Sequence, residues 1–295
     1  DRQIRLWGVE AQKKMKSSRV LVIGMSAVNA ELCKNIVLAG VGVDLCDANI
    51  VEARQLGANF FLTKEDIGKP LAEACLPRVQ ELNPMVTVGL SPLLESAAHA
   101  DIQAAVASYT LVVVAGRDGA TQVKINAACR AAKVQFISVN VSGLFGHVFV
   151  DLGVHEFIEQ PSASTEDAPT PPPIQYRVTF PSLEESLACS WGGRRHTNAM
   201  LFAFRAALAY RAEPAGTDVA TFVADMAAKR EQPKLVAENV DAVLRTWGME
   251  LAPVTAIVGG VVGQEVIKAL SHKDPPFSNT FVLDARDGTG AVAGL

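Results

Sequence analysis

Short apolar runs alternate with segments of helical period along the first half of the chain. Residues 19–23, Arg-Val-Leu-Val-Ile, form a β-branched run that stops at Gly24. From residue 27 to 38 the apolar positions recur at helical spacing, at Ala27, Ala30, Leu32, Cys33, Ile36 and Val37, which predicts an amphipathic helix. Residues 43–46 read as a second strand that ends at Asp47, and 70–82 as a helix with Pro70 suited to its first turn. Strands are expected at 86–90, 110–115 and 134–139, with a helix at 120–132. Strands that alternate with helices imply βαβ units, a mostly parallel sheet and right-handed crossovers, hence a doubly wound α/β fold of Rossmann type.

The pattern changes after Glu159. Residues 160–173 hold Pro161, Pro169 and Pro171 to Pro173 among Ser, Ala and Thr, the composition of a linker or surface loop. Helices are expected at 197–211, 218–230 and 234–246, and closing strands at 280–285 and 291–295. The division that follows is a main domain from 1–154 and 250–295, with a linker and partial helical insertion at 155–249. The apolar run 251–263 ends at Gln264 and Glu265, short of the roughly 18 residues that suggest a membrane span, and reads as a buried helix.

Composition narrows the classes. Hydrophobic residues make up 49% of the 295 residues and charged residues 20%, enough apolar material for a sizeable core. A net charge of −4 gives no basic face for nucleic acid. The 5 cysteines contain no C-x-x-C pair, which argues against a zinc knuckle and suits a reducing compartment. Asp1 opens the chain without an apolar stretch behind it, so no secretory signal is expected. His155-Glu156 lacks the second histidine of a metalloprotease motif. Cys189 has no identifiable base near it and reads as structural.

The candidate chemistry lies at the first strand–helix turn. A strand that runs into Gly24 and then a helix is where such folds take phosphate, and Asp47 closes the next strand, where an acidic residue holds ribose hydroxyls. The turn reads Gly24-Met-Ser-Ala-Val-Asn29. Ser26 and Asn29 stand where a G-x-G-x-x-G loop has its second and third glycines. A Cβ at each is expected to obstruct phosphate approach and helix–strand packing. From these residues alone a weak nucleotide site, a nicotinamide-dependent oxidoreductase and a site without ligand all remain open.

Several stretches together resemble one family. Asp1-Arg-Gln-Ile-Arg-Leu-Trp-Gly8 looks like the opening of regulatory subunits of ubiquitin-like-modifier activating enzymes. Lys34-Asn-Ile-Val-Leu-Ala-Gly-Val41, Asn59-Phe-Phe-Leu62, Asp66-Ile-Gly68 and Leu82-Asn-Pro84 match further landmarks in order. Leu152-Gly-Val-His-Glu-Phe157, Asp274-Pro-Pro276 and Val258-Gly-Gly-Val-Val-Gly-Gln-Glu-Val-Ile-Lys268 narrow the resemblance to the SUMO-activating branch. A regulatory subunit that serves another modifier carries a longer insertion, for which this length leaves no room.

The resemblance implies a Rossmann-like adenylation fold in a heterodimer. The partner, the catalytic subunit of a SUMO-activating enzyme, would hold ATP and magnesium, and this chain would bind no cofactor. The modifier would be contacted through the complex, with neither nucleic acid nor membrane involved, in the nucleus and secondarily the cytoplasm. Where active members carry Asn, Arg and Lys, this chain has Gln55, Ala58 and Leu71. Gly24, Asp47 and Asp118 would then be remnants of a nucleotide site. Arg2 would reach into the partner's ATP site, with Arg5 structural and Trp7 an anchor. The rival readings are a self-sufficient adenylyltransferase of the bacterial thiamine and molybdopterin type, a nicotinamide oxidoreductase, and a pure interaction module.

Overall fold

The computed structural model describes residues 8–92, 99–160, 172–191, 198–213 and 216–294. Helix α1 (Val9–Ser17) leads into β1 (Arg19–Ile23), α2 (Ala27–Leu38) and β2 (Gly42–Cys46). After two short 3-10 turns come α3 (Leu71–Leu82), β3 (Val88–Leu90), α4 (His99–Val106), β4 (Leu111–Ala115), α5 (Gly119–Ala132) and β5 (Gln135–Ser142). The second half holds β6 (Phe145–Asp151), β7 (Val154–Glu159), β8 (Ile174–Thr179), α6 (Leu183–Ala188), α7 (Ala199–Tyr210), α8 (Val219–Lys229) and α9 (Ala237–Arg245). Helix α10 (Ala252–Ser271), β9 (Thr280–Asp284) and β10 (Thr289–Ala293) complete it.

The main sheet runs β10-β9-β6-β5-β4-β1-β2-β3. Strands β3, β2, β1, β4 and β5 are mutually parallel, and β6, β9 and β10 extend the sheet antiparallel. The chain winds outward from β1 to β2 and β3 on one side and to β4 and β5 on the other. The order therefore reverses between β1 and β4, the place where open α/β sheets gather ligands.

Both faces of the sheet are covered, which is why β1 and β4 read as unbroken apolar runs. Val20 and Val22 pack with α2, α3 and α10 on one face, and Leu21 and Ile23 with α4 and α5 on the other. Helix α10 is long and apolar enough by composition to cross a membrane, but it lies along α2 with Val254, Val258, Val262, Val266 and Leu270 buried. Two glycines allow that approach. A Cβ on Gly259 would sit 2.5 Å from Glu31 Cβ, and one on Gly263 3.1 Å from Asn35 Cβ, whereas Gly260 faces open space.

In the stretch set apart by composition, β7 and β8 pair as an antiparallel ribbon. Helices α7, α8 and α9 form a further apolar cluster that includes Phe145 of β6 and Val282 of β9, so they cover the antiparallel end of the main sheet. Pro70 stands just outside α3 as its N-terminal flank, and the fifth strand runs on to Ser142.

Candidate functional site

A cavity of about 520 Å³ opens at the carboxyl ends of β1, β2 and β4, at the reversal of strand order. Its wall includes Ser26, Asp47, Asn49, Leu71, Arg117 and Glu250. Gln55 and Ala58 line it too, so the three positions singled out by resemblance, Gln55, Ala58 and Leu71, converge on one wall.

Gly24 makes the turn out of β1 with φ at +86°, and a Cβ there would fall 2.2 Å from the Ala115 carbonyl oxygen. A glycine is therefore required by the crossing of β1 past β4, whatever the cavity holds. Asn29 corrects one expectation. Its side chain does not obstruct the helix–strand contact. Its amide donates to the carbonyls of Ile23 at 3.2 Å and Gly24 at 2.7 Å, which ties α2 to the turn. Asn59, in the loop below, donates to the Met25 carbonyl at 2.9 Å.

Asp47 is buried at the cavity wall, and its carboxylate is bonded by the protein. Oδ2 accepts from the Met25 amide at 2.8 Å, and Oδ1 from the Asn49 amide at 3.0 Å and from Arg117 Nη2 at 3.3 Å. Both oxygens are thus engaged by the chain's own donors. Asp118 caps α5: its Oδ1 accepts from the Thr121 amide at 2.9 Å and its Oδ2 from the Thr121 hydroxyl at 2.7 Å. Those bonds to Thr121 hold its carboxyl below the usual range, against the opposing effect of burial, which is the largest single influence. Asp118 is not among the residues that line the cavity.

Sequence reasoning missed Arg54, Arg117, Asn49 and Glu250. Arg117 contacts Asp47, and Arg54 pairs with Glu52 at 2.6 Å, so the cations on the wall are engaged by carboxylates. The Glu250 carboxylate accepts from the Ala27 amide at 2.7 Å and the Val28 amide at 3.1 Å, at the N-terminus of α2. No spacing signal joins residues so far apart in sequence. Arg2, with Arg5 and Trp7, lies outside the described residues. No cluster of metal-ligating side chains occurs among the described residues.

The ThiF family profile matches residues 1–288 of the chain. The chain belongs to the ThiF family. Among its curated relatives are "SUMO-activating enzyme subunit 1" of Rattus norvegicus, 32% identical over 99% of this chain and 92% of that protein, and of Homo sapiens, 32% identical over 99% and 93%. "SUMO-activating enzyme subunit 1B-1" of Arabidopsis thaliana is 34% identical over 100% and 94%. Solved structures share the ThiF fold at low identity. The microcin C7 biosynthetic enzyme MccB in complex with N-formylated MccA matches with TM-score 0.64 and 13% identity, over 100% of this chain and 72% of that one. PaaA matches with TM-score 0.60 and 15% identity, over 97% and 66%. These likenesses concern the fold, and the ThiF cavity lies where a doubly wound sheet places its ligand crevice.

Proposed function

We propose that this chain is the non-catalytic subunit of a heterodimer that activates a SUMO-type modifier. The reaction has two steps. The modifier's terminal carboxylate attacks the α-phosphate of ATP, giving an acyl-adenylate and releasing pyrophosphate. A cysteine of the catalytic subunit then takes the acyl group as a thioester, and AMP leaves. ATP and magnesium belong to the catalytic subunit's site. This chain supplies the fold that pairs with that subunit, and Arg2 reaches across to the terminal phosphates. A guanidinium there stabilises the charge that develops on departing pyrophosphate. The complex acts in the nucleus.

Relatives named as subunit 1 over nearly their full length support the assignment. The observation that carries the silent site is Asp47, whose two oxygens already accept from Met25, Asn49 and Arg117 of this chain, which leaves its carboxylate less acceptor capacity for a ribose. The test is ATP–pyrophosphate exchange with the purified chain, with the catalytic subunit, and with both. Exchange is expected only when the catalytic subunit and modifier are present. Full-rate exchange by this chain alone would make it a self-sufficient adenylyltransferase instead.

A further inference from the structure

The cavity sits where this fold type takes phosphate, yet an acidic side chain, Glu250, occupies the helix N-terminus in its wall. The first amides of a helix point outward without intrahelical partners and carry the positive end of the helix dipole. Ser26 flanks α2 and makes no side-chain cap. The caps come instead from Glu250, whose Oε2 and Oε1 bind the Ala27 and Val28 amides one to one. That is the two-point arrangement in which a helix N-terminus holds a phosphoryl group.

Glu250 is delivered by a fixed segment. Residues 246–251 run past the end of β5, where Ser142 bridges Trp247, Gly143 bridges Glu250, and the Gly143 amide donates to the Met249 carbonyl at 2.9 Å. The Thr246 and Ser142 hydroxyls meet at 2.8 Å. Gly143 adopts φ +56°, and a Cβ on it would lie 2.9 Å from Thr246 Cβ, so the segment presses on the strand end. A cap of this kind needs no charge, since Ser, Thr or Asn serves a helix N-terminus as well. Burial pushes the Glu250 carboxyl above its usual range despite its two amide donors, so the ionised form stands in a place that disfavours it. A carboxylate kept there has an effect beyond capping: it repels other anions.

We propose that Glu250 is the specificity-determining residue that closes this cavity to phosphate, its carboxylate standing in the seat a phosphoryl group would need. This rests on the preceding reading that the site is silent, and it names the group that makes it so. Two effects combine. The amides that would receive phosphate oxygens are taken, and the carboxylate, when ionised, sets a negative charge within about 4 Å of any phosphate that approaches them. At an effective dielectric near 20, that repulsion alone is worth roughly a thousandfold in a binding constant. Of the arginines on the wall, Arg117 already faces the buried Asp47, and Arg54 lies in an exposed pair with Glu52.

The test titrates inorganic pyrophosphate, without nucleotide, into the full chain and its Glu250→Ala and Glu250→Gln variants. The Ala27 and Val28 amide resonances serve as the readout. Wild type is expected to show no shift at these amides. Glu250→Ala should bind pyrophosphate there, with apparent affinity higher by roughly 10²–10³-fold. Glu250→Gln keeps the shape, loses the charge and sets an amide group against one of the two donors, so it should gain about tenfold or more. Should Glu250→Ala fail to fold, Glu250→Gln decides alone. Folded variants whose amides ignore pyrophosphate would overturn the proposal, as would wild type that binds it at these amides. Assembly with a catalytic subunit plays no part in this measurement. Failure of the heterodimer reading would appear in the exchange assay and leave the Glu250 result standing.

Discussion

Asp47 separates a structural carboxylate from a nucleotide ligand, because each role predicts a different response to its removal. In Asp47→Ala the Met25 and Asn49 amides lose their acceptor, and Arg117 loses the partner at 3.3 Å. A buried donor left unsatisfied costs about 1–3 kcal/mol, and a buried ion pair broken from one side about 3–5 kcal/mol. These costs overlap, since one carboxylate serves all three donors. The cavity also lets water reach the vacated site. The Arg117 side chain is only 11% exposed, which limits that relief. We expect a net loss of about 3 kcal/mol, equivalent to a melting point lower by roughly 5 °C in a chain of this size. Asp47→Asn retains one oxygen acceptor and should lose about half as much. Asp118→Ala removes a helix cap and should cost about 1 kcal/mol.

The assay pairs thermal unfolding of the chain with single-turnover adenylation by the heterodimer, below the variants' melting points. All three variants should adenylate modifier within about twofold of wild type. A melting point within about 1 °C of wild type, together with a tenfold slower adenylation, would refute the reasoning: Asp47 would then be holding substrate.

Two further outcomes are expected. Arg2→Ala should slow adenylation by the heterodimer by roughly 10–10³-fold, about 1.4–4 kcal/mol, without loss of assembly. Arg2→Lys should rescue it only in part, because lysine lacks the planar fork; a wild-type rate for Arg2→Ala would leave the chain as scaffold alone. Asp66 is held well below the usual carboxylate range by Lys69, then by the Thr63 amide and Arg78. A depressed folded value means that this stabilisation is complete above the unfolded value near ~4 and is lost as pH falls further. Denaturant unfolding from pH 5 to pH 2 should therefore show a steep loss that Asp66→Asn flattens, and an unchanged slope would exclude Asp66 as its source.

The parallel half of the fold was legible because its strands are buried on both faces. Such strands appear as Val-Leu-Ile runs, and the intervening helix 27–38 keeps its period and its ends. Strand β6 was not legible. Phe-Gly-His-Val-Phe-Val-Asp is buried throughout, yet Gly146 and His147 interrupt the apolar run that would have marked it. Gly146 is demanded by tertiary packing, since a Cβ there would meet Val258 at 2.4 Å. Strand β8 is mostly exposed and has no apolar face to give a period. At the site, the position of Asp47 could be read from its place after β2, but the direction of its carboxylate could not. That direction is set by Met25 and Arg117, which the sequence holds far apart. Glu250 was invisible for the same reason, carried to α2 by a segment that only the folded β5 end positions.

A ligand crevice that loses its ligand leaves polar groups with nothing to bind. Free amides at a helix N-terminus and an unpaired carboxylate beside it would each cost stability, and together they would favour local opening of the loops around β1 and β2. Here the helix amides and the carboxylate have been given partners from within the chain. The α2 amides hold Glu250, Asp47 holds Met25, Asn49 and Arg117, and Asn29 holds the two carbonyls of the turn. Loss of nucleotide therefore need not soften this part of the fold. For a subunit whose proposed task is to present a surface and an N-terminal arginine to a partner, that is the useful outcome. A rigid surface loses less conformational freedom on association than one that must first be ordered. The same groups that exclude phosphate would thereby hold α2 and its neighbouring loops in place for assembly.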